Sequence, residues 1–497
     1  MRSAPSAPKL GVFQHRPARS QAPQHNTENY SHIGDNPFFS AKQTPLSTFS
    51  IDVDTASYSN ARRLLGHGRL PPKDAVRIEE MLNYFSYSYP PPKGDIPFSV
   101  YSEVSDAPWN PKARLVHIGL RGKAISRNDQ SPQNLVFLID VSGSMGSANK
   151  LPLLKRGLSL LARELRPQDS LAMVVYAGSS GTVLPPTPGN QQGKILSALE
   201  RLHAGGSTNG ASGIQLAYNV ARRNYQSGGV NRVILATDGD FNVGTTNQGD
   251  LTRLIEGQRK SGVSLSVLGF GRGNLKDAPM ETLADKGNGN YSYIDSIAEA
   301  QKVLVREGGS TLVTIAKDVK IQVEFNPKLV ARYRLIGYEN RILKKQDFNN
   351  DKIDAGEIGA GHTVTALYEI IPTKSAAEAP TGVDKLRYQA ERASTKLANS
   401  GELLTLKLRY KSPTGSKSRK ISYTVTDTGR SLKQSSDDFR FSAAVASYGM
   451  LLRGSQHRGT ATLASARKLA QAAIGKDPYG DRKELLGLMD QAKSLGL

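Results

Sequence analysis

The sequence contains no cysteine. That excludes disulfide scaffolds, thiolate zinc sites, iron–sulfur clusters and thiol nucleophiles in one step. It leaves the redox compartment open, because a cysteine-free chain fits an oxidising envelope without requiring one. Nor is there an apolar run near the ~18–20 residues that a membrane-spanning helix needs. No Gly-x-x-x-x-Gly-Lys-Ser/Thr phosphate loop occurs, which argues against nucleotide hydrolysis. No nucleophile elbow appears, although composition alone leaves a Ser/His/Asp triad open. Met1-Arg2-Ser3-Ala4-Pro5 opens without the apolar stretch of a signal peptide. The expectation is a cytoplasmic protein or one whose leader has been removed.

Acidic residues are the minority, 44 against 65 lysines and arginines, and the formal net charge is +21. Such a balance favours acidic partners: an anionic polymer or surface, or an acidic protein face. The basic residues are scattered, which is also how a solubilising charge is spread. Their densest group is Arg332, Arg334, Arg341, Lys344 and Lys345. No zinc finger, strand-borne aromatic motif or recognition helix accompanies it, so nucleic acid is disfavoured.

With 497 residues the chain is too long for one core and implies several domains. Residues 1–30, rich in Ser, Pro, Gln and Asn, read as a disordered arm. Residues 31–95 form an N-terminal α+β segment. There Phe49–Val53 alternates like a strand, Asp54 and Thr55 offer caps, and Tyr58–Leu65 and Val76–Phe85 read as helices. The following cluster of Tyr84, Phe85, Tyr87 and Tyr89 reads as packing. Residues 96–130 carry two strand-like segments, Phe98–Val104 and Arg114–Gly122. Residues 131–306 alternate short apolar strands with helical patterns, the signature of a parallel sheet covered on both faces. Residues 307–430 switch to period two, interrupted by an Ala-rich charged excursion at 373–398. Residues 431–497 are helical. The expected architecture is an α/β doubly wound, Rossmann-like domain inserted in or flanked by an antiparallel β-sandwich, with helical segments at both ends. Its ligand site belongs at the carboxyl ends of the parallel strands.

Three loops at that edge concentrate the chemistry. The strand Leu135–Ile139 runs into Asp140-Val141-Ser142-Gly143-Ser144. Gly205-Gly206-Ser207-Thr208-Asn209-Gly210 leads into a helix. Thr237-Asp238-Gly239-Asp240 follows the strand Val233–Ala236. Brought together, Asp140, Ser142, Ser144, Thr208 and Asp238 offer only hydroxyl and carboxylate oxygens. Such a set suits Mg²⁺ or Mn²⁺, or Ca²⁺. Two carboxylates balance the divalent charge, and neutral hydroxyls keep the ion electrophilic enough to accept a partner's carboxylate.

Asp140-x-Ser142-x-Ser144, with Thr208 and Asp238, resembles the metal-ion-dependent adhesion site of the von Willebrand factor type A family, over about residues 132–305. The resemblance implies that Ser142, Ser144 and Thr208 are metal or near-metal ligands. It implies that Asp140 and Asp238 act directly or through water, and that an acidic residue of a protein ligand completes the shell. Asn209 and Asp240 would stand at the rim of the ligand site. Phe49–Leu65, Asp347–Ile371 and Phe439–Pro478 further resemble a bacterial group of secreted or lipid-anchored type A proteins. That implies a cell-envelope location, without the anchoring cysteine such proteins often carry.

Weaker signals are set aside. Asp347, Asn349 and Asp351 space like a calcium loop, but Lys352 stands where the turn wants Gly and Ile358 where it wants Glu. A hydrated β-hairpin loop is the preferred reading. Asp52 and Asp54 read as helix caps, and His203 and His362 as isolated structural or exposed residues. The expected function is metal-dependent protein binding or adhesion, without catalysis. The alternatives are a basic scaffold for an anionic polymer and, last, a metal-dependent hydrolase with Asp240 as base.

Overall fold

The computed structural model describes residues 27–51, 54–206, 210–239, 248–308, 313–353, 355–376, 394–413 and 415–497. The N-terminal part supplies two short strands, β1 (Phe39–Ser40) and β2 (Leu46–Ser50), and the helices Ala56–Gly66 and Ile78–Asn83. A long hairpin follows, β3 (Phe98–Ala107) and β4 (Asn110–Gly122). The middle of the chain contributes β5 (Gln133–Asp140), β6 (Ser170–Tyr176), β7 (Ser180–Pro188), β8 (Val230–Thr237), β9 (Ser264–Phe270) and β10 (Tyr291–Ile294). Then come β11 (Thr314–Phe325), β12 (Val330–Ile336), β13 (Gly356–Gly359), β14 (Thr363–Pro372), β15 (Glu402–Lys411) and β16 (Ser418–Thr426), and three closing helices.

Every residue of β5 is buried. Leu135, Phe137 and Ile139 face one helical layer, and Val136 and Leu138 face the other. That two-sided burial explains why this strand is a continuous apolar run. The sheet order is β10-β9-β8-β5-β6-β7, parallel except where β7 runs antiparallel to β6. β7 has no counterpart in the sequence-based reading. Pro185, Pro186 and Pro188 disguise it, and an edge position is where a strand tolerates proline. The helix Leu151–Glu164 buries Leu151, Leu154, Leu158 and Leu161, one stripe at helical spacing. Because β6 and β8 flank β5 on opposite sides, the strand order reverses there, and the crevice beyond the end of β5 is the natural ligand site.

The segments before and after this domain meet in space. β4 pairs with β14, and β1 with β12, giving the sheet β1-β12-β14-β4-β3. A second sheet runs β13-β11-β15-β16, with β2 also paired to β11. Val116, Ile118 and Leu120 of the first sheet share a core with Ile321, Val323 and Leu406 of the second. The chain therefore leaves a β-sandwich after β4 and re-enters it at β11, with the α/β domain inserted between.

The other face of the first sheet is covered by the helix Asp437–Arg453. Ser436 caps its start by accepting from Phe439 N, and Gly454 in the left-handed region ends it. It packs with Tyr84, Phe85, Tyr87 and Tyr89, all buried, so the aromatic cluster is core. Residues 27–30 depart from the arm that composition implied. Thr27 N and Asn29 N donate to Gly273 O and Leu275 O, while Glu28 pairs with Arg63. Specific ion and backbone pairing fixes a segment whose polarity alone suggested disorder. Residues 1–26 and most of the excursion at 373–398 lie outside the described residues.

Candidate metal centre

β5 delivers Asp140 fully buried at its carboxyl end. Its Oδ1 accepts from Ser142 N at 2.9 Å, which turns the chain back on itself. Its Oδ2 accepts from Tyr176 OH at 3.2 Å and from Thr237 Oγ1 at 3.1 Å, tying the loops after β5 and β8 to one carboxylate. Gly205 N donates to Val141 O and Gly143 N to Gly206 O, pinning the second loop against the first. The Ser142 and Ser144 hydroxyls stand 3.1 Å apart. Asp238, also fully buried, takes hydrogen bonds from Lys150 Nζ at 2.8 Å and from Ser144. Four of the five expected ligands are thus in one cluster. Thr208 lies outside the described residues, as do Asn209 and Asp240.

The two carboxylates are held differently. Burial raises the Asp140 pKa, hydrogen bonds from Ser142 oppose the shift, and the neighbouring Asp238 charge adds to it. At Asp238 burial works in the same direction. There the Lys150 and Asn274 hydrogen bonds and the Lys150 charge outweigh it and hold the group below its usual range. The donor set fits a hard divalent cation: two converging hydroxyls beside two buried carboxylates, with Lys150 their cationic partner among the described residues.

Lys150 escaped the sequence reading. It precedes the amphipathic helix Leu151–Glu164 and looks like a solvated lysine, yet it is buried, with Nζ also 3.3 Å from Asn274 Oδ1. Gly271 makes the room for it. A Cβ there would stand 2.2 Å from Lys150 Cε, and its φ of +83° disfavours other residues. Thr237 is the second addition, adjacent to Asp238 in sequence and bonded to Asp140.

A second gathering of carboxylates joins three parts of the chain. Oxygens of Asp54, Glu80 and Glu281 lie within 4.8 Å of one another, all buried. Arg77 pairs with Glu80, with Asp277 at 2.6 Å and with Glu281 at 3.6 Å. Arg341 pairs with Asp285, with Asp54 at 2.9 Å and with Glu281 at 3.3 Å. Asp54 is therefore no helix cap. It accepts from Tyr291 N and faces Arg341, because ion pairing across the seam offers a buried carboxylate more than a helix start does. The calcium-like loop likewise disperses: Asp347 accepts from Lys344 N while Asp351 pairs with Arg409 at 3.0 Å.

A parallel sheet between two helical layers, a metal-type loop cluster beyond its central strand and a sandwich on either side in sequence define a von Willebrand factor type A protein. The family model "von Willebrand factor type A domain" matches residues 134–306. Models described as "von Willebrand factor" and "Uncharacterized protein YfbK, C-terminal" match 24–117 and 310–495. The chain belongs to the von Willebrand factor type A family, in the group that includes the Escherichia coli (strain K12) uncharacterized protein YfbK. That protein is 45% identical over 473 residues, covering 94% of this chain and 81% of the relative. Mouse inter alpha-trypsin inhibitor, heavy chain 4, is 33% identical over 152 residues, only 16% of its own length. Among solved structures, a von Willebrand factor type A protein from Catenulispora acidiphila is 17% identical, covering 79% of this chain and 88% of its own, with a TM-score of 0.45.

Proposed function

We propose that this protein is a metal-dependent protein-binding module of the bacterial cell envelope, gripping an acidic group of its partner through a Mg²⁺ held by Ser142, Ser144, Thr208, Asp140 and Asp238. Mn²⁺ or Ca²⁺ offers the same chemistry to the same oxygens. The observation that carries the reading is the convergence of two hydroxyls and two buried carboxylates from separate loops. The hydroxyls are neutral ligands, so a cation there stays electrophilic and retains affinity for an outside carboxylate. Beside this edge runs a groove of about 470 Å³ lined by Gly146, Leu151, Lys155, Arg156 and His203. Its basic side chains suit an acidic ligand. The envelope location rests on the resemblance of Phe49–Leu65, Asp347–Ile371 and Phe439–Pro478 to a bacterial group of secreted or lipid-anchored type A proteins.

The alternative, a scaffold for an anionic polymer, draws on the net charge. It is weakened by what the densest basic group does. Arg334 is buried against Glu369, and Arg341 serves the carboxylate seam. A pull-down from envelope extract in Mg²⁺ or chelator, with wild-type chain and Asp140→Ala, tests the two. Metal-bridged capture is expected to vanish in chelator and in the variant. Capture indifferent to both but falling steeply with salt would replace the metal bridge with the polymer reading.

A further inference from the structure

The opposite end of the same sheet contains a buried charge that no carboxylate among the described residues pairs with. Arg232 lies near the start of β8 and alternates with Ile234 on the face that packs the helix Leu151–Glu164. At this position the strand pattern calls for an apolar residue, and Arg232 is 3% exposed. Its guanidinium donates to Ser266 Oγ at 2.7 Å, its Nε has no partner, and no carboxylate among the described residues pairs with it. Burial draws its pKa down, and the charge of Glu357 opposes this. A guanidinium stays protonated in proteins. A buried cation without a counterion costs several kcal/mol, so such a group is retained where something balances it.

Arg232 faces a cavity of about 50 Å³ lined also by Thr55, Asn290, Ser292, Glu307 and His362. That is room for about three waters, or for one small anion with a water. Most of the wall is apolar, from Leu161, Ile234, Leu268, Val303 and Leu304. The polar side chains that line it beside the guanidinium can mostly donate: Thr55, Ser292, Asn290 and His362, whose Nε2 is buried and without a partner. Burial pushes the His362 pKa down to about 4, so its ring is neutral at pH 7 and can donate one N–H. Glu307 is the one acid on the wall, and Lys302 stands 3.8 Å from its carboxylate. Thr55 comes from the N-terminal segment, His362 from the β13–β14 turn of the sandwich, and Arg232 from the inserted domain. The cavity thus sits where all three parts meet.

We propose that this cavity binds a small monovalent anion, a halide or a one- or two-carbon carboxylate, which neutralises Arg232 and clasps the inserted domain to the sandwich. The site is independent of the metal edge. A divalent oxyanion would not suit it, with one guanidinium as its only cationic ligand and a carboxylate on its wall.

The test uses the full chain and bromide as probe. Anomalous diffraction from crystals soaked in sodium bromide is expected to show a peak within hydrogen-bond distance of Arg232 Nε. In solution, chloride-35 line broadening is expected to saturate with wild-type protein. Affinity is expected to fall about tenfold or more in Arg232→Met, the loss of a charged hydrogen-bond donor. Formate that competes the broadening away extends the site to short carboxylates, and formate without effect restricts it to halides. Crystals that show Glu307 swung onto Arg232 with no bromide peak would overturn the proposal, as would broadening unchanged in the variant. The wild-type crystal decides the matter even where Arg232→Met fails to fold.

Discussion

The carboxylates of the seam and those beyond β5 have their charge balanced by different means. At the seam, Asp54, Glu80, Asp277, Glu281 and Asp285 surround Arg77 and Arg341. A guanidinium presents a planar fork of donors, so each arginine serves more than one acid and fills the space where a cation would sit. Beyond β5, Asp140 and Asp238 face one lysine among the described residues, beside hydroxyls, the Asn274 amide and a backbone N–H. Hydroxyls satisfy oxygens without cancelling charge. The first arrangement locks parts of the chain together, whereas the second keeps the negative potential that attracts a divalent ion. Counting carboxylates does not separate a structural cluster from a metal site. The kind of donor facing them does.

The largest effect that could break this contrast is at the seam. Arg77→Met strands Glu80 and Asp277 in a buried setting, and removing one partner of a buried pair costs about 3–5 kcal/mol. Chemical denaturation is expected to report a loss of that order with Mg²⁺ affinity of the folded protein unchanged. A variant as stable as wild type would mean that the seam charges are screened by water and lock nothing.

Next in size is Lys150→Met. It removes the ammonium from Asp238 and costs about 1–3 kcal/mol in metal-free protein, the range for leaving a buried acceptor unmet. It also removes the cation that these carboxylates face among the described residues, so Mg²⁺ is expected to bind more tightly. Calorimetric titration of wild type and variant measures this directly. Weaker binding in the variant would show that Lys150 orients Asp238 for the metal and does not compete with it.

The two gatherings were unequally visible in the sequence. Asp140, Ser142, Ser144 and Asp238 stand within a few residues of strand ends. In a doubly wound sheet those ends must share an edge, so period and order alone bring them together. The seam depends on Arg77 meeting Asp277 and Asp54 meeting Arg341, pairs hundreds of positions apart. No local pattern encodes which charges cross a domain boundary. Lys150 and Arg232 were hidden for the opposite reason. Each has the local context of an ordinary basic residue, and only the packing around it removes the water. The sandwich was legible because Ile321–Phe325 of β11 and Leu404–Tyr410 of β15 alternate apolar with polar, whereas β7 was not because prolines interrupt its pattern.

The smallest expected effect is a difference of sign. Burial pushes the Glu80 pKa up from its ordinary 4.5 to about 7, against the pull of Arg77. A carboxyl raised by folding lends stability in its protonated form, complete below pH ~4.5 and lost as the pH rises through about 7. Asp238 is shifted the other way: the Lys150 and Asn274 bonds override burial and hold it below 3.8. Its contribution is present above that value and lost as the pH falls through the folded pKa. Glu80→Gln should therefore gain stability relative to wild type as the pH rises from 5 to 7. Asp238→Asn should lose ground at neutral pH and recover it only on strong acidification. Denaturation midpoints of both variants against wild type in chelator, from pH 2 to 8, give the two slopes. Slopes of the same sign would mean that the guanidiniums at the seam hold Glu80 ionised, and that the two sites balance their charge in the same way after all.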